Sequence, residues 1–509
     1  MLFRQRRTDA ISPLRFLTSA AIGLLCLWAV SACRDAAQST PAQQVEPPNT
    51  ATVSATATGL PEIGKLFSWT ISQKVAGFSH SADIMPTEPF LASGHAVALP
   101  RASSDLVARV NSLAYQFGKN PDGATKKNNT IDDYMAHNQV TGLLIIKDGA
   151  IVTERYAMGL DERTVWDSKS AGKSVVSTLI GAAVKDGFIK SLDDPVDRYV
   201  PEMTGTAYEG VTLRNLLRMS SGVKWNENYL DPKSDIDTDV ACMASRVANC
   251  TLNHLKSLKR ARRFRIGPQV PQGTVWHYST GDAFISGLVV QRATGMSLAK
   301  YLQLKIWQPY GMEANGVWWL DAPGGVGSGG GGFNATLRDY GRFGLFVMNN
   351  GVLADGTHVL PDTWMRDATT YTAEAVVPKF GPYGVYGYMW WHYPAHDDNL
   401  NDPGPLVTGI AAPLPYTTVN AGMPAADREK AMIASLGRGG DAGDWTFSAV
   451  GVYGQMIAVN PRENLVVVQW AVWDKPSPSC CNKSSPIFDA RDQYDERAVF
   501  VNAVTKVLH

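Results

Sequence analysis

The stretch WDSKSAGKSVVSTLIG, residues 166–181, decides how the rest of the chain is read. Ser170 and Lys173 stand three positions apart in it. After Lys173 the run is small and apolar, with Val175, Val176, Leu179 and Ile180 at helical spacing. On a helix, positions i and i+3 share a face, so the hydroxyl and the amine can meet. A serine at the start of a buried helix also has that helix's free N–H groups and positive end beside it. This combination seats a nucleophile whose reaction passes through an oxyanion. Serine needs a base beside it at neutral pH. Lys173 can serve when neutral, a state that burial and a nearby positive field favour. Spacing alone is weak evidence, because Ser297-Leu298-Ala299-Lys300 repeats it, and there the serine has the character of a helix cap.

Working outward, residues 140–156 read as two strands, GLLIIKDG and AIVTERY, turning at Asp148-Gly149. Downstream, Asp186-Gly187 ends the first large helix, a polar connection follows from Ser191, and Thr212 caps a short amphipathic helix, TLRNLLRM. A long polar stretch, 224–273, includes a basic run from Lys256 to Arg265 that reads as a solvated face. Helices are expected from about Thr280, from Leu298 to Gln308 and from Asn334 to Met348. Residues 324–332 are nearly all glycine. They contain a GxGxxG match at Gly325, Gly327 and Gly330, but no strand precedes it, so a flexible loop is expected rather than a dinucleotide site. His392 and His396 are separated by Pro394 and read as a surface loop, not a metal site. Residues 445–459 and 465–472 read as adjacent strands around a turn at Pro461, and 490–508 as a closing helix. The order predicts an α/β (α+β) fold. An antiparallel sheet is flanked by N- and C-terminal helices, with an inserted helical subdomain at about 185–345.

The 509 residues are 45% hydrophobic, enough for a full core, and Lys+Arg and Asp+Glu both number 47. That balance argues against nucleic acid as a partner, which requires a concentrated basic surface. Residues 1–33 have the form of a targeting segment, with Arg4, Arg6, Arg7 and Arg15 ahead of an apolar run. The run ends in Val30-Ser31-Ala32-Cys33, which resembles a bacterial lipobox. Cys33 is then the lipidated first residue of an exported, membrane-anchored protein, periplasmic or at the cell surface. The alternative is ordinary cleavage after Ala32. Residues 34–60 form an Ala/Thr/Pro linker and 61–509 the main domain. Cys242, Cys250, Cys480 and Cys481 remain, an even number suited to an oxidising compartment, with their pairing open. Nothing in the sequence specifies an oligomeric state.

Ser170-Ala171-Gly172-Lys173-Ser174, the SLDDPVDRYVPE and TLRNLLRMSSG stretches, and HYST at 277–280 occur in an order that resembles the serine β-lactamase and penicillin-binding superfamily. Within it they are most similar to class C-like esterases and the 6-aminohexanoate-dimer hydrolase group. The resemblance covers roughly residues 60–509. It implies that Ser170 is the acylated nucleophile, Lys173 its base and Tyr278 a proton shuttle, with Thr280 where the family often has asparagine. Ala449-Val450-Gly451 stands in place of the family's KTG or HxG strand. There Gly451 lets the backbone approach a substrate, and the N–H groups of Ser170 and Val452 form the oxyanion hole. Tyr229 resembles a substrate-loop tyrosine of that group. No metal or organic cofactor is implied. The missing lysine, which commonly binds an antibiotic's or peptide's carboxylate, favours small esters or amides as substrates. A β-lactamase or D,D-peptidase is the first alternative and a non-catalytic tethered binding lipoprotein the second.

Overall fold

The computed structural model describes residues 59–118, 128–261, 269–369, 386–393, 446–476 and 493–509. Residues 1–58, His396, Cys480 and Cys481 lie outside the described residues. Strands lie at Thr87–Phe90 (β1), Val140–Lys147 (β2), Ala150–Tyr156 (β3), Trp166–Asp167 (β4), Gly316–Trp319 (β5), Phe333–Ala335 (β6), Trp391–Tyr393 (β7), Thr446–Gly451 (β8), Gln455–Asn460 (β9) and Leu465–Ala471 (β10). Six of them form an antiparallel sheet in the order β3-β2-β10-β9-β8-β7.

The β2–β3 hairpin turns where expected. Asp148 and Gly149 both have positive φ, 51° and 76°, which a two-residue turn between twisted strands demands. Leu143 to Ile146 form an unbroken apolar run because both faces of β2 are covered. Leu144 and Ile146 face the helix Leu337–Met348. At Gly341 of that helix a Cβ would lie 2.7 Å from both side chains, so glycine lets the helix sit close to the sheet. Leu143 and Ile145 join a second core on the other face with Tyr134, Val467, Phe500 and Val504, under the closing helix Gln493–Leu508. Helices therefore cover both faces of the sheet.

Residues 445–459 are not one strand. β8 and β9 are a tight hairpin broken at Val452–Gly454, where Tyr453 (φ 64°) and Gly454 (φ 92°) turn the chain back so that Gly451 pairs with Gln455. His392 lies in β7, paired with Phe447, and not in a loop. A second sheet, β1-β5-β6-β4, was not anticipated, because strands of two to four residues are too short to show a period of two. It ties the N-terminal segment, through β1, to β4, which leads into Ser170. Ser297 is a cap: its Oγ accepts from Lys300 N at 3.1 Å and donates to Glu88 at 2.7 Å. Cys242 and Cys250 form a disulfide between the helices Asp235–Ser245 and Cys250–Ser257. Among the described residues no helix is long and apolar enough to cross a membrane.

Candidate active site

The helix Gly172–Lys185 is entered through a turn of 3₁₀ helix at Lys169–Ala171, and Ser170 sits in that turn. The chain reaches it from β4 by a left-handed residue, Lys169, at φ 49°. Asp167 stabilises this bend twice, accepting from Lys169 N at 2.9 Å and pairing with its Nζ at 2.6 Å. Both side chains are buried. Burial pulls the Lys169 amine down, and Asp167 opposes that.

Lys173, one turn on, places Nζ 2.7 Å from Ser170 Oγ and donates to the carbonyl of Gly330 at 2.8 Å. The side chain is 1% exposed. Burial lowers its pKa from 10.5 to about 8, while Glu227 and Asp239 hold it up. Asp239 itself is pushed up to about 6 by burial, against a hydrogen bond from Thr251.

Gly330 belongs to the glycine run, which is not a flexible loop. It is a close-packed strip running past the helix Gly172–Lys185 and the helix Thr280–Thr294. A Cβ at Gly329 would lie 2.2 Å from the carbonyl oxygen of Ala283, at Gly330 2.5 Å from Thr280 Cγ2, and at Gly331 2.9 Å from the carbonyl oxygen of Lys169. Each glycine is needed for close approach, and together they carry one carbonyl to Lys173.

Tyr278 lies in the extended entry to the helix Thr280–Thr294, with its ring 5.2 Å from Lys173 Nζ. Burial first and the charge of Glu227 second raise its phenol far above the ordinary value. Its ring stacks on Trp391 at 5.8 Å and meets Tyr386 edge-on at 6.2 Å. The segment bearing both is tied to the helix Gly172–Lys185 by Ser174, which donates to Met389 O at 2.6 Å. Lys173 therefore lies against an aromatic wall of Tyr278, Trp391 and Tyr386.

Glu227 was missed from the sequence. Its carboxylate accepts from Thr280 N at 3.0 Å, Thr280 Oγ1 at 2.6 Å, Tyr229 OH at 2.9 Å and the indole N–H of Trp225. The hydroxyls of Thr280 and Tyr229 thus both donate to Glu227, which lies near Lys173 and Tyr278. The only sequence signal was an acid two residues before Tyr229 in a Trp/Tyr-bearing loop. On the other side, β8 brings Gly451 beside the turn that holds Ser170. A Cβ there would lie 2.4 Å from Ser168 O, which fixes glycine at this position, and Val452 follows directly. The structure thus gathers Ser170, Lys173, Tyr278, Thr280, Tyr229 and the Gly451-Val452 turn around one centre. Among the described residues no cluster of His, Cys, Asp and Glu is arranged to hold a metal ion.

A family model described as Beta-lactamase matches residues 128–480. The 6-aminohexanoate-dimer hydrolase of Paenarthrobacter ureafaciens is 26% identical over 301 residues, covering 57% of this chain and 71% of that protein. Among solved structures, one from Bacillus anthracis, provisionally assigned as a 6-aminohexanoate-dimer hydrolase, superposes with a TM-score of 0.59. It covers 85% of this chain and 93% of its own at 18% identity. A structure from Bacteroides dorei, provisionally assigned as a β-lactamase, gives a TM-score of 0.50 at 20% identity, covering 73% and 96%.

Proposed function

The chain belongs to the Beta-lactamase family and is a serine hydrolase, and from that premise we propose that it cleaves small esters or amides through an acyl-enzyme on Ser170. The observation that carries this is the 2.7 Å contact between Ser170 Oγ and a buried Lys173 whose pKa falls to about 8. A neutral Lys173 has two N–H bonds and a lone pair. One N–H remains on Gly330 O, and the lone pair takes the Ser170 proton as Oγ attacks the carbonyl carbon. Tyr278 keeps its proton at neutral pH, so it acts as a donor and relay and not as a phenolate base. It passes a proton to the leaving group as the C–O or C–N bond breaks, and Lys173 restores it. Water then attacks the acyl-enzyme by the reverse sequence. The N–H groups of Ser170 and Val452 would receive the oxyanion, each such donor being worth about 3 kcal/mol of barrier.

Two features support esters and amides over antibiotic or cell-wall peptides. β8 carries Ala449 where the family's cationic residue would stand, and Glu227 puts a negative charge near the nucleophile. Both disfavour a substrate carboxylate. The similarity to a 6-aminohexanoate-dimer hydrolase, named for a small amide, supports an amide substrate. Ser170→Ala should abolish both labelling by a fluorophosphonate probe and hydrolysis of p-nitrophenyl acetate, and labelling unchanged from wild type would refute the assignment. Nitrocefin turnover at rates above those for p-nitrophenyl acetate would move the substrate to the β-lactam class.

We also propose, on the sequence alone, export and lipid anchoring at Cys33. Cys33→Ala should move the protein from the membrane to the soluble fraction after cell disruption. An unchanged distribution would count against the anchor.

A further inference from the structure

We propose that the N-terminal segment from Leu66 to Phe78 is a brace for the oxyanion hole, acting through the two left-handed residues that border it. This inference rests on the reading of Ser170 as nucleophile given above. The segment lies ahead of the family-matched region, which begins at residue 128.

Lys169, immediately before Ser170, has φ 49°, and Tyr453, immediately after Val452, has φ 64°. Side-chain-bearing residues adopt this conformation rarely and keep it only where their surroundings hold them. The two positions border the two N–H groups assigned to the oxyanion. Rotation at Lys169 aims the Ser170 N–H, and the turn at Tyr453 sets where β8 ends and so where Val452 lies.

The N-terminal segment receives both side chains. Lys169 Nζ lies 4.2 Å from the ring centre of Phe78 and 5.8 Å from that of Trp69. Tyr453 packs its ring 5.8 Å from Phe78, donates its hydroxyl to Leu66 O at 3.2 Å, and lies under Lys74 Nζ at 4.6 Å. Lys74 in turn donates to the carbonyls of Trp473 at 2.7 Å and Asp474 at 3.1 Å, fixing the chain beside the turn. Phe78 is fully buried and touches both strained residues, as well as Trp166 in the strand that leads to Ser170. Gly77 makes the packing possible, since a Cβ there would lie 2.3 Å from the Trp69 ring. One short helix, Ile71–Ser79, therefore touches both borders of the hole from behind. Lys74 and Phe78 are positioning residues, because they reach the reaction through Lys169, Tyr453 and Trp166 and not directly.

The test uses the full chain carrying Phe78→Ala, with Lys74→Met and Tyr453→Phe as milder variants should Phe78→Ala fail to fold. Phe500→Ala, in the core on the far face of the sheet, serves as a control for loss of stability alone. A brace predicts that kcat for p-nitrophenyl acetate falls about tenfold or more in Phe78→Ala, and severalfold in Lys74→Met, with KM within about twofold. Affinity for an arylboronic acid, which forms a tetrahedral adduct on Ser170, should fall by the same factor. Phe500→Ala should lose stability yet keep kcat and boronate affinity. Wild-type kcat and boronate affinity in the folded brace variants, with Ser170-dependent labelling intact, would overturn the brace alone. Labelling that survives Ser170→Ala would overturn the nucleophile assignment and the brace with it.

Discussion

Replacing Lys173 by methionine tests the chemistry through stability as well as rate. The pKa of this amine drops from 10.5 to about 8 in the folded chain, chiefly through burial. That difference corresponds to about 3 kcal/mol of stability withheld from the folded state wherever the amine is charged. The sign follows from proton counting. Below a pH of about 8 both folded and unfolded chains hold the proton and the full penalty applies. As pH rises from there toward 10.5, the folded chain sheds the proton first and the penalty fades. Wild type should therefore gain about 2 kcal/mol on Lys173→Met between about pH 7 and about pH 9.5. Methionine also forfeits the contacts to Ser170 and Gly330, at about 1–3 kcal/mol, but that loss does not depend on pH in this range. Near neutrality the two effects offset each other and the variant is about as stable as wild type.

Urea unfolding followed by tryptophan fluorescence, repeated on both proteins from about pH 7 upward, reads the slope above the region near pH 6 where Asp239, coupled to Lys173, takes up its proton. In parallel, the acylation rate of wild type should rise about tenfold per pH unit below its midpoint and level off above a pH of about 8. The variant should lose about a thousandfold or more, with no such rise. A stability difference that stays flat with pH, together with a rate profile breaking near the ordinary lysine value, would show that Lys173 is not held as a poised base.

Three further perturbations follow from the same geometry. Glu227→Gln removes the charge that holds the Lys173 pKa up, so the midpoint of the acylation profile should move to lower pH; a shift to higher pH would contradict the assigned electrostatics. Gly329→Ala places a Cβ against the backbone of the helix Thr280–Thr294 and displaces the carbonyl that Lys173 uses. It should cost about 1–3 kcal/mol in denaturant unfolding and lower kcat, whereas unchanged stability would mean that the glycine strip is not close-packed. Cys242→Ser with Cys250→Ser opens a closed loop of eight-residue separation and should cost about 2–3 kcal/mol by loop entropy; identical unfolding midpoints would refute a formed bond.

Much of the scaffold is written locally. The β2–β3 turn follows from Asp148-Gly149, the helix start at Thr280 from the Ser279 cap, and the nucleophile helix from the spacing of Val175, Val176, Leu179 and Ile180. Ser170 and Lys173 are legible because one helix turn joins them. What was illegible depends on partners distant in sequence. Gly330 reaches Lys173 across 157 residues, and nothing in a glycine run distinguishes a packed strip from a loose loop. Glu227 becomes a site residue only when Thr280, 53 residues on, donates to it. The break between β8 and β9 was hidden because Val452, Tyr453 and Gly454 continue an apolar run, and only the left-handed φ of Tyr453 reveals the turn.

The placement of Glu227 has a consequence for how the oxyanion must be stabilised. With Lys173 neutral and Glu227 charged, the centre carries net negative charge before reaction, and attack by Ser170 adds another on the substrate oxygen. Coulomb repulsion in a buried site is only weakly screened. Proton transfer to Lys173 answers part of this, because the ammonium formed lies near Glu227, whose field raises the affinity of Lys173 for that proton. The same field that reduces the neutral fraction of the base before attack thus draws the proton to it during attack. What remains is the charge on the substrate oxygen, for which the described site offers no further cation near Ser170 except the buried Lys169, already paired with Asp167. Backbone N–H groups must meet it, and dipoles act usefully only when aimed in advance. A site that relies on dipoles in place of a charge therefore needs rigid borders. In the proposed brace, two left-handed residues, one on each side of the hole and both packed against the same buried phenylalanine, would supply that rigidity.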